Sequence, residues 1–188
     1  MSTYDGEPDH LDAARSGNVS AFEALYTETQ PRLLRYAAGL VGQDAEDITA
    51  EAWLQISRDL HRFEGDVQAF RGWAATIVRN RALDLIRANA RRPADATDMS
   101  TFERADHFDT AGLAAETLST EAALKLINTL PPDQAEAVLL RVVVGLDGAT
   151  AAAVLGKRPG AVRVAAHRGL KALARQLGHI ADEHGGRG

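Results

Sequence analysis

Between positions 156 and 175 the chain carries Lys157, Arg158, Arg163, Arg168, Lys171 and Arg175 and no acid, a local charge of +6. A second basic segment, 71–92, holds Arg71, Arg79, Arg81, Arg87, Arg91 and Arg92 against one acid, Asp84, for +5. The chain as a whole is nevertheless at −5, because acids gather at 44–51 (Asp44, Glu46, Asp47, Glu51) and along 95–116. Two basic segments joined through acidic ones suit a two-point contact with a polyanion. The plain alternative is a pair of solvated helix faces.

The sharper local signal lies in the last fifty residues. Ala152 and Gly156 stand four apart and Val162 follows six later. A helix-turn-helix needs this arrangement: a small residue where two helices cross, a glycine in the turn, then an apolar anchor on the second helix. Pro159 suits the first turn of that second helix, where its missing amide would be unpaired anyway. Val162, Ala166, Leu173 and Leu177 are then expected inward, and Arg158, Arg163, His167, Arg168 and Lys171 outward. Such a helix reads base edges near its amino end and grips phosphate with the rest. An ordinary helical hairpin with a basic face would share the spacing.

Other constellations are weaker. Asp44, Asp47 and Glu51 fall along one side of a helix, but a di-metal bundle needs Glu-x-x-His partners that the sequence lacks. An acidic docking face or a solvated face fits them better. Asn80, Asp84, Arg87 and Arg91 line one face of a helix whose leading loop carries Phe63 and Phe70, with Trp73 just after. Polar groups beside stackable rings are what contact with single-stranded DNA requires, although each ring taken alone also suits a small core. The six histidines are scattered and there is no cysteine. That excludes a disulfide framework, a thiol nucleophile and cysteine-based metal sites. No nucleophile elbow or phosphate-cradling glycine loop is present, so the reading is not an enzyme, and no cofactor is implied.

The elements that must position these residues are helical. Hydrophobic residues make up 45% of the 188 and charged ones 25%, the balance of a folded protein. With few aromatics, the core must come mainly from Ala, Leu, Val and Ile. Ser20-Ala-Phe-Glu23 has capping-box spacing, followed by a buried stripe of Phe22, Leu25, Tyr26, Leu33, Ala37, Leu40 and Val41. Pro31 should kink that helix and Gly42 end it. A second helix is expected from an Asp44 cap to about Leu60, with Ile48, Ala52, Ile56 and Leu60 inward. A third, capped by Asp66, should run to about Ala90 with Ala74, Ile77, Val78, Ala82, Leu85 and Ile86 on its apolar side. After Pro93 the composition turns small and acidic, which predicts a flexible linker over 93–118. Helices resume near Thr120 with Ala123, Leu124, Ile127 and Leu130 on one face. Pro131-Pro132 turns the chain, and helices follow to Gly145, over 149–155 and over 160–177. The expected fold is all-α: two small helical domains, 19–92 and 119–177, with tails at 1–18 and 178–188. No apolar run approaches a membrane span, and the acidic start is unlike a signal peptide, which points to the cytoplasm.

Together these residues resemble bacterial sigma factors of the extracytoplasmic-function group, within the sigma-70 superfamily, over about 20–92 and 118–177. The first stretch matches in Ala21-Phe-Glu-Ala-Leu-Tyr26, in Asp44-Ala-Glu-Asp-Ile48 with Glu51 and Trp53, in Phe70-Arg-Gly-Trp73, and in Arg79-Asn80 and Ala82-Leu-Asp84. The second matches in Leu130-Pro-Pro132, Val138-Leu-Leu-Arg141, Gly145-Leu146, Leu155-Gly156, Pro159-Gly160, Val162-Arg163 and His167-Arg168. The resemblance implies a promoter-specificity subunit whose region 2 holds the β′ clamp of core RNA polymerase and opens the −10 element. Its region 4 would sit on the β flap and read the −35 element. Asp44, Asp47, Glu51 and Trp53 would dock on polymerase. Phe63, Phe70 and Trp73 would surround a flipped −10 base, with Asn80 and Asp84 at the −10 contacts and Arg79, Arg87 and Arg91 on phosphate. Lys157, Arg158, Pro159, Arg163, Val164, His167, Arg168 and Lys171 would meet the −35 duplex. An anti-sigma factor is a further partner that the resemblance implies.

The chain departs from the family pattern at Ala165 and Leu170, where a basic residue is common, and at Thr150 and Ala151, where acids are usual. These departures bear on the −35 sequence preference. Two other readings share the residues. A stand-alone helix-turn-helix regulator would bind operator duplex by itself as a dimer, and a helical protein adaptor would show no salt-dependent DNA contact.

Overall fold

A computed structural model of the chain describes residues 10–91 and 120–185, with side chains to 178. The linker expected over 93–118 lies outside the described residues. The first helix, α1 (His10–Arg15), falls where a tail was expected. It is held because Leu11 and Ala14, three apart, reach the core at 1% and 7% exposure. Six residues with two apolar anchors leave almost no periodic signal in sequence.

Helix α2 (Val19–Val41) is capped two residues before Ser20, the expected cap. Asn18 is the cap, its side-chain oxygen accepting from the Ala21 amide at 2.9 Å. Asn caps as well as Ser does, and this phase puts Ala21, Leu25, Leu33 and Ala37 inside. Tyr26, expected in that stripe, is exposed. Pro31, where a kink was expected, lies inside the helix, which continues to Val41. Gly42 ends it with φ of 62° and leads through a 3-10 turn, Gly42–Asp44, into α3 (Ala45–Asp59). Asp44 holds the cap position, but its carboxylate makes no capping bond. Ile48, Ala52 and Ile56 are buried as their spacing requires, and Leu60 follows in a second 3-10 turn. Helix α4 (Val67–Arg91) starts on the Asp66 carboxylate, which accepts from the Ala69 amide at 2.8 Å. Ala74, Ile77, Val78 and Ala82 line its buried side, whereas Ile86 is exposed, so that side ends a turn earlier than expected.

The second half opens with α5 over 120–127, on which Leu124 and Ile127 turn inward but Ala123 is exposed. Helix α6 (Pro132–Val138) continues as a π turn, Leu139–Val144, and stops at Gly145 in the left-handed region. Asp147 then caps α7 (Gly148–Leu155), accepting from the Thr150 amide at 2.8 Å; hydrogen bonds from Thr150, and less from the Ala149 amide, hold its carboxyl below the usual range. Helix α8 (Pro159–Gly185) is the last described element and reaches into what was expected to be a tail. No strand occurs among the described residues.

The two halves do not stand apart. Buried residues from both, including Tyr36, Phe70 and Val78 from the first and Leu139, Val144 and Ala151 from the second, form one continuous cluster. Helix α7 packs on α4, and the π turn packs on α2.

Candidate nucleic-acid interface

The helix-turn-helix is built as its spacing requires. Ala152 is 2% exposed between α7 and α8. Gly156 closes α7 at φ 62° and ψ 32°, a conformation that favours a residue without Cβ. The Lys157 amide returns to the Ala152 carbonyl at 2.9 Å. Pro159 is the first residue of α8, and the Arg158 carbonyl accepts from the Ala161 amide at 3.0 Å. Val162 and Ala166 are buried beneath. One turn further on, a Cβ on Gly169 would lie 2.8 Å from Val138 Cγ2, so α8 crosses α6 closely there. Leu173 is partly buried, but Leu177 is exposed, which corrects its inward assignment. Its neighbour Gln176 still donates to Thr129 at 3.1 Å, so Leu177 falls on the outer side of the helix.

This packing turns Arg158, Arg163, Val164, His167, Arg168 and Lys171 to solvent together. Among the described residues none of these cations has an acidic partner, while Lys157 holds Asp133 at 2.5 Å. An exposed cationic face with no acid interleaved attracts a polyanion by releasing its counterions.

On α4, Asn80, Asp84, Arg87 and Arg91 are exposed on the expected face, with Asp84 and Arg87 paired at 3.2 Å. The aromatic group divides. Phe63 stacks on Trp73, centroids 5.0 Å apart and planes 26° apart, and both remain partly exposed. Phe70 is 0% exposed and meets Phe63 edge-on at 5.9 Å. Phe70 is therefore a core ring bracing the other two, and the expectation that it offers a face to a base is corrected.

Asp44 at the cap of α3 and Asp47 and Glu51 on the helix are exposed. Glu51 accepts from Arg81 at 2.7 Å, and Arg81 also reaches Gln55 at 3.0 Å. Trp53 is different: it is 7% exposed, donates from Nε1 to Gln30 at 2.6 Å, and packs on Phe22 and Tyr26. It fastens α3 to α2 from behind the acidic face and is not part of that face.

Arg79 is not free. Its Nε and Nη2 donate to the two carboxylate oxygens of Glu136 on α6, at 2.5 and 3.2 Å. Tyr36, fully buried on α2, donates its hydroxyl to the same carboxylate at 3.2 Å. Burial, and then the Glu136 charge, push the Tyr36 phenol well above its ordinary range, and the Glu136 hydrogen bond raises Arg79. Sequence reasoning gave neither Glu136 nor Tyr36 a role. Nothing local marks a contact between residues 57 or 100 positions apart.

Residues 25–92 match the family model for Sigma-70 region 2, and residues 120–173 match that for Sigma-70, region 4. The chain is 34% identical over 178 residues to the ECF RNA polymerase sigma factor ShbA of Streptomyces griseus, covering 87% of this chain and 92% of that protein. The chain belongs to the extracytoplasmic-function sigma factors. The ECF sigma factor BldN of Streptomyces coelicolor is 32% identical over 173 residues, a match to 89% of this chain that spans 64% of BldN's length. Among solved structures, the sigma factor RpoE of Bartonella quintana, crystallised with the anti-sigma factor NepR, superposes with a TM-score of 0.64. It is 25% identical, over 85% of this chain and 98% of that one. An extracytoplasmic-function sigma factor is an alternative sigma subunit that directs transcription initiation, and this chain carries both of its regions. The region 2 match runs from within α2 through α4, and the region 4 match runs from α5 into α8 and takes in the helix-turn-helix. Among the described residues no helix is long and apolar enough to cross a membrane.

Proposed function

We propose that this sigma factor binds core polymerase through the exposed acids of α3 and reads promoter DNA through two separate faces. Region 2, which we extend back to α1, offers Asp44, Asp47 and Glu51 to the β′ clamp. Phe63 and Trp73 border the pocket for an unpaired −10 base. Asn80 and Asp84 contact neighbouring bases, while Arg87, Arg91 and a released Arg79 hold phosphate. Region 4 lays α8 into the −35 major groove. There Arg158, Pro159, Arg163 and Val164 lie nearest the base edges, with His167, Arg168, Lys171 and Lys157 on the backbone. The observation that carries this reading is the solvent-facing, acid-free cationic face that the helix-turn-helix builds on α8. The protein works in the cytoplasm as a binding subunit and not as an enzyme. An anti-sigma factor holds it in reserve, a partner supported by the RpoE–NepR likeness.

Run-off transcription tests the reading, with cognate core polymerase on a pool of genomic promoter fragments, with and without the protein. Discrete transcripts that require the protein are expected. Silence from a core that responds to another sigma factor, together with failure to bind that core, overturns the reading.

A further inference from the structure

The contact between the halves is constructed at several points. At one crossing, a Cβ on Gly72 of α4 would fall 2.4 Å from Thr150 Cγ2 on α7. At another, a Cβ on Gly39 of α2 would fall 2.7 Å from Leu139 Cδ1. Arg32 donates to the Val144 carbonyl at 3.3 Å across the same boundary. Between these crossings lies the Tyr36–Glu136–Arg79 cluster, its two ionic side chains 23% and 19% exposed. A fork of two N–H groups on two carboxylate oxygens is among the stronger polar contacts a surface residue makes.

This arrangement conflicts with the promoter contact just proposed, on which the following inference rests. Elements centred at −10 and −35 lie about 85 Å apart along a duplex that rises about 3.4 Å per base pair. A compact chain of this length has a radius of gyration of about 16 Å and measures about 40 Å across. With α7 packed on α4, the α8 face and the α4 face cannot reach both elements. Arg79, in addition, is held by its Nε and Nη2 against the Glu136 carboxylate, so its charge is already paired. We propose that Glu136 is a latch residue: by holding Arg79 and Tyr36 it keeps the factor closed and unable to engage a promoter, and it must yield Arg79 before both elements are bound.

The absence of cysteine makes a direct trap practicable. The Cβ position of residue 72 lies 3.9 Å from Thr150 Cβ, inside the range a disulfide spans. The full-length Gly72→Cys/Thr150→Cys variant should therefore close a disulfide on oxidation. Locked, it should lose run-off transcription by more than about tenfold relative to the same protein reduced, because the competent fraction vanishes. Adding Glu136→Gln, which keeps the side-chain shape but removes the charge, should slow disulfide formation several-fold. In the cysteine-free protein Glu136→Gln should raise transcription at limiting protein.

Three results would overturn the latch: no disulfide on oxidation, a locked protein as active as the reduced one, or cross-linking that Glu136→Gln leaves unchanged. The cross-linking arm needs no polymerase. If reduced and wild-type proteins are both silent with a working core, the sigma reading fails, and the cross-linking rates still decide the latch.

Discussion

Gly39 and Leu139 meet where α2 passes under the start of the π turn, and the Leu139 methyls occupy the space a Cβ on residue 39 would need, at 2.7 and 2.9 Å. Substitution sets two effects against each other. Gly39→Ala gains up to about 1 kcal/mol of helix propensity, which offsets the displacement of a flexible leucine end, so near-neutral stability is expected. Gly39→Val cannot be absorbed in that way and should cost about 1–3 kcal/mol by overpacking. In a double-mutant cycle Leu139→Ala should relieve part of that cost, read from urea midpoints, with a coupling of at least about 0.5 kcal/mol.

Trp53 and Asp47 separate structure from docking on one helix. Trp53→Phe strips the donor from Gln30 while keeping most of the ring. It should lower stability by about 1–3 kcal/mol, the cost of an unmet buried polar group. Affinity for core polymerase, measured on the folded protein, should hardly change. Asp47→Ala should do the reverse, leaving the urea midpoint within about 0.5 kcal/mol, as exposed substitutions do, while core binding weakens. An Asp47→Ala protein that binds core normally would remove the acidic face from the docking surface.

The two basic faces should differ in kind. Arg163→Ala should cost about 1–3 kcal/mol on preferred −35 sequences if its guanidinium forks onto a base, and little on others. Arg91→Ala should weaken binding evenly across sequences and flatten the logarithmic salt slope by about one unit. Both are read by titrating holoenzyme onto promoter fragments at several salt concentrations. Equal losses on all sequences for both variants would assign Arg163 to phosphate.

What the sequence disclosed was what neighbouring residues decide among themselves. Ala152, Gly156 and Val162 announce their turn because a crossing, a left-handed residue and an anchor must follow at fixed steps. Asp66 announces α4 because a cap lies three residues from the amide it satisfies. Asn18 hid behind Ser20 because both are good caps, and only the burial of Ala21 and Leu25 chooses the phase. Phe70 was legible as an aromatic beside Phe63 and Trp73, but which ring faces solvent depends on packing across the bundle. Glu136 was invisible for the same reason: its partners come from two other helices, and no spacing rule connects them.

That cluster also sets an alkaline limit on the closed form. The Tyr36 phenol is raised above its ordinary 10.0 by burial and by Glu136. In the unfolded chain it loses its proton near pH 10, whereas in the fold it keeps it. Above that pH the native state therefore binds more protons than the unfolded state, and stability falls as pH rises. The contribution is intact below pH 10 and declines by up to about 1.4 kcal/mol for each further unit until the folded phenol itself ionises. Tyr36→Phe removes the titrating group but leaves Arg79 on Glu136. It should unfold at a nearly constant urea midpoint between pH 9.5 and 11, where the wild type loses stability steeply, once the change shared by the other two tyrosines and the lysines is subtracted. A wild type with no steeper loss than the variant would mean that Tyr36 ionises in place, and that the ring is not sealed between the two halves in solution.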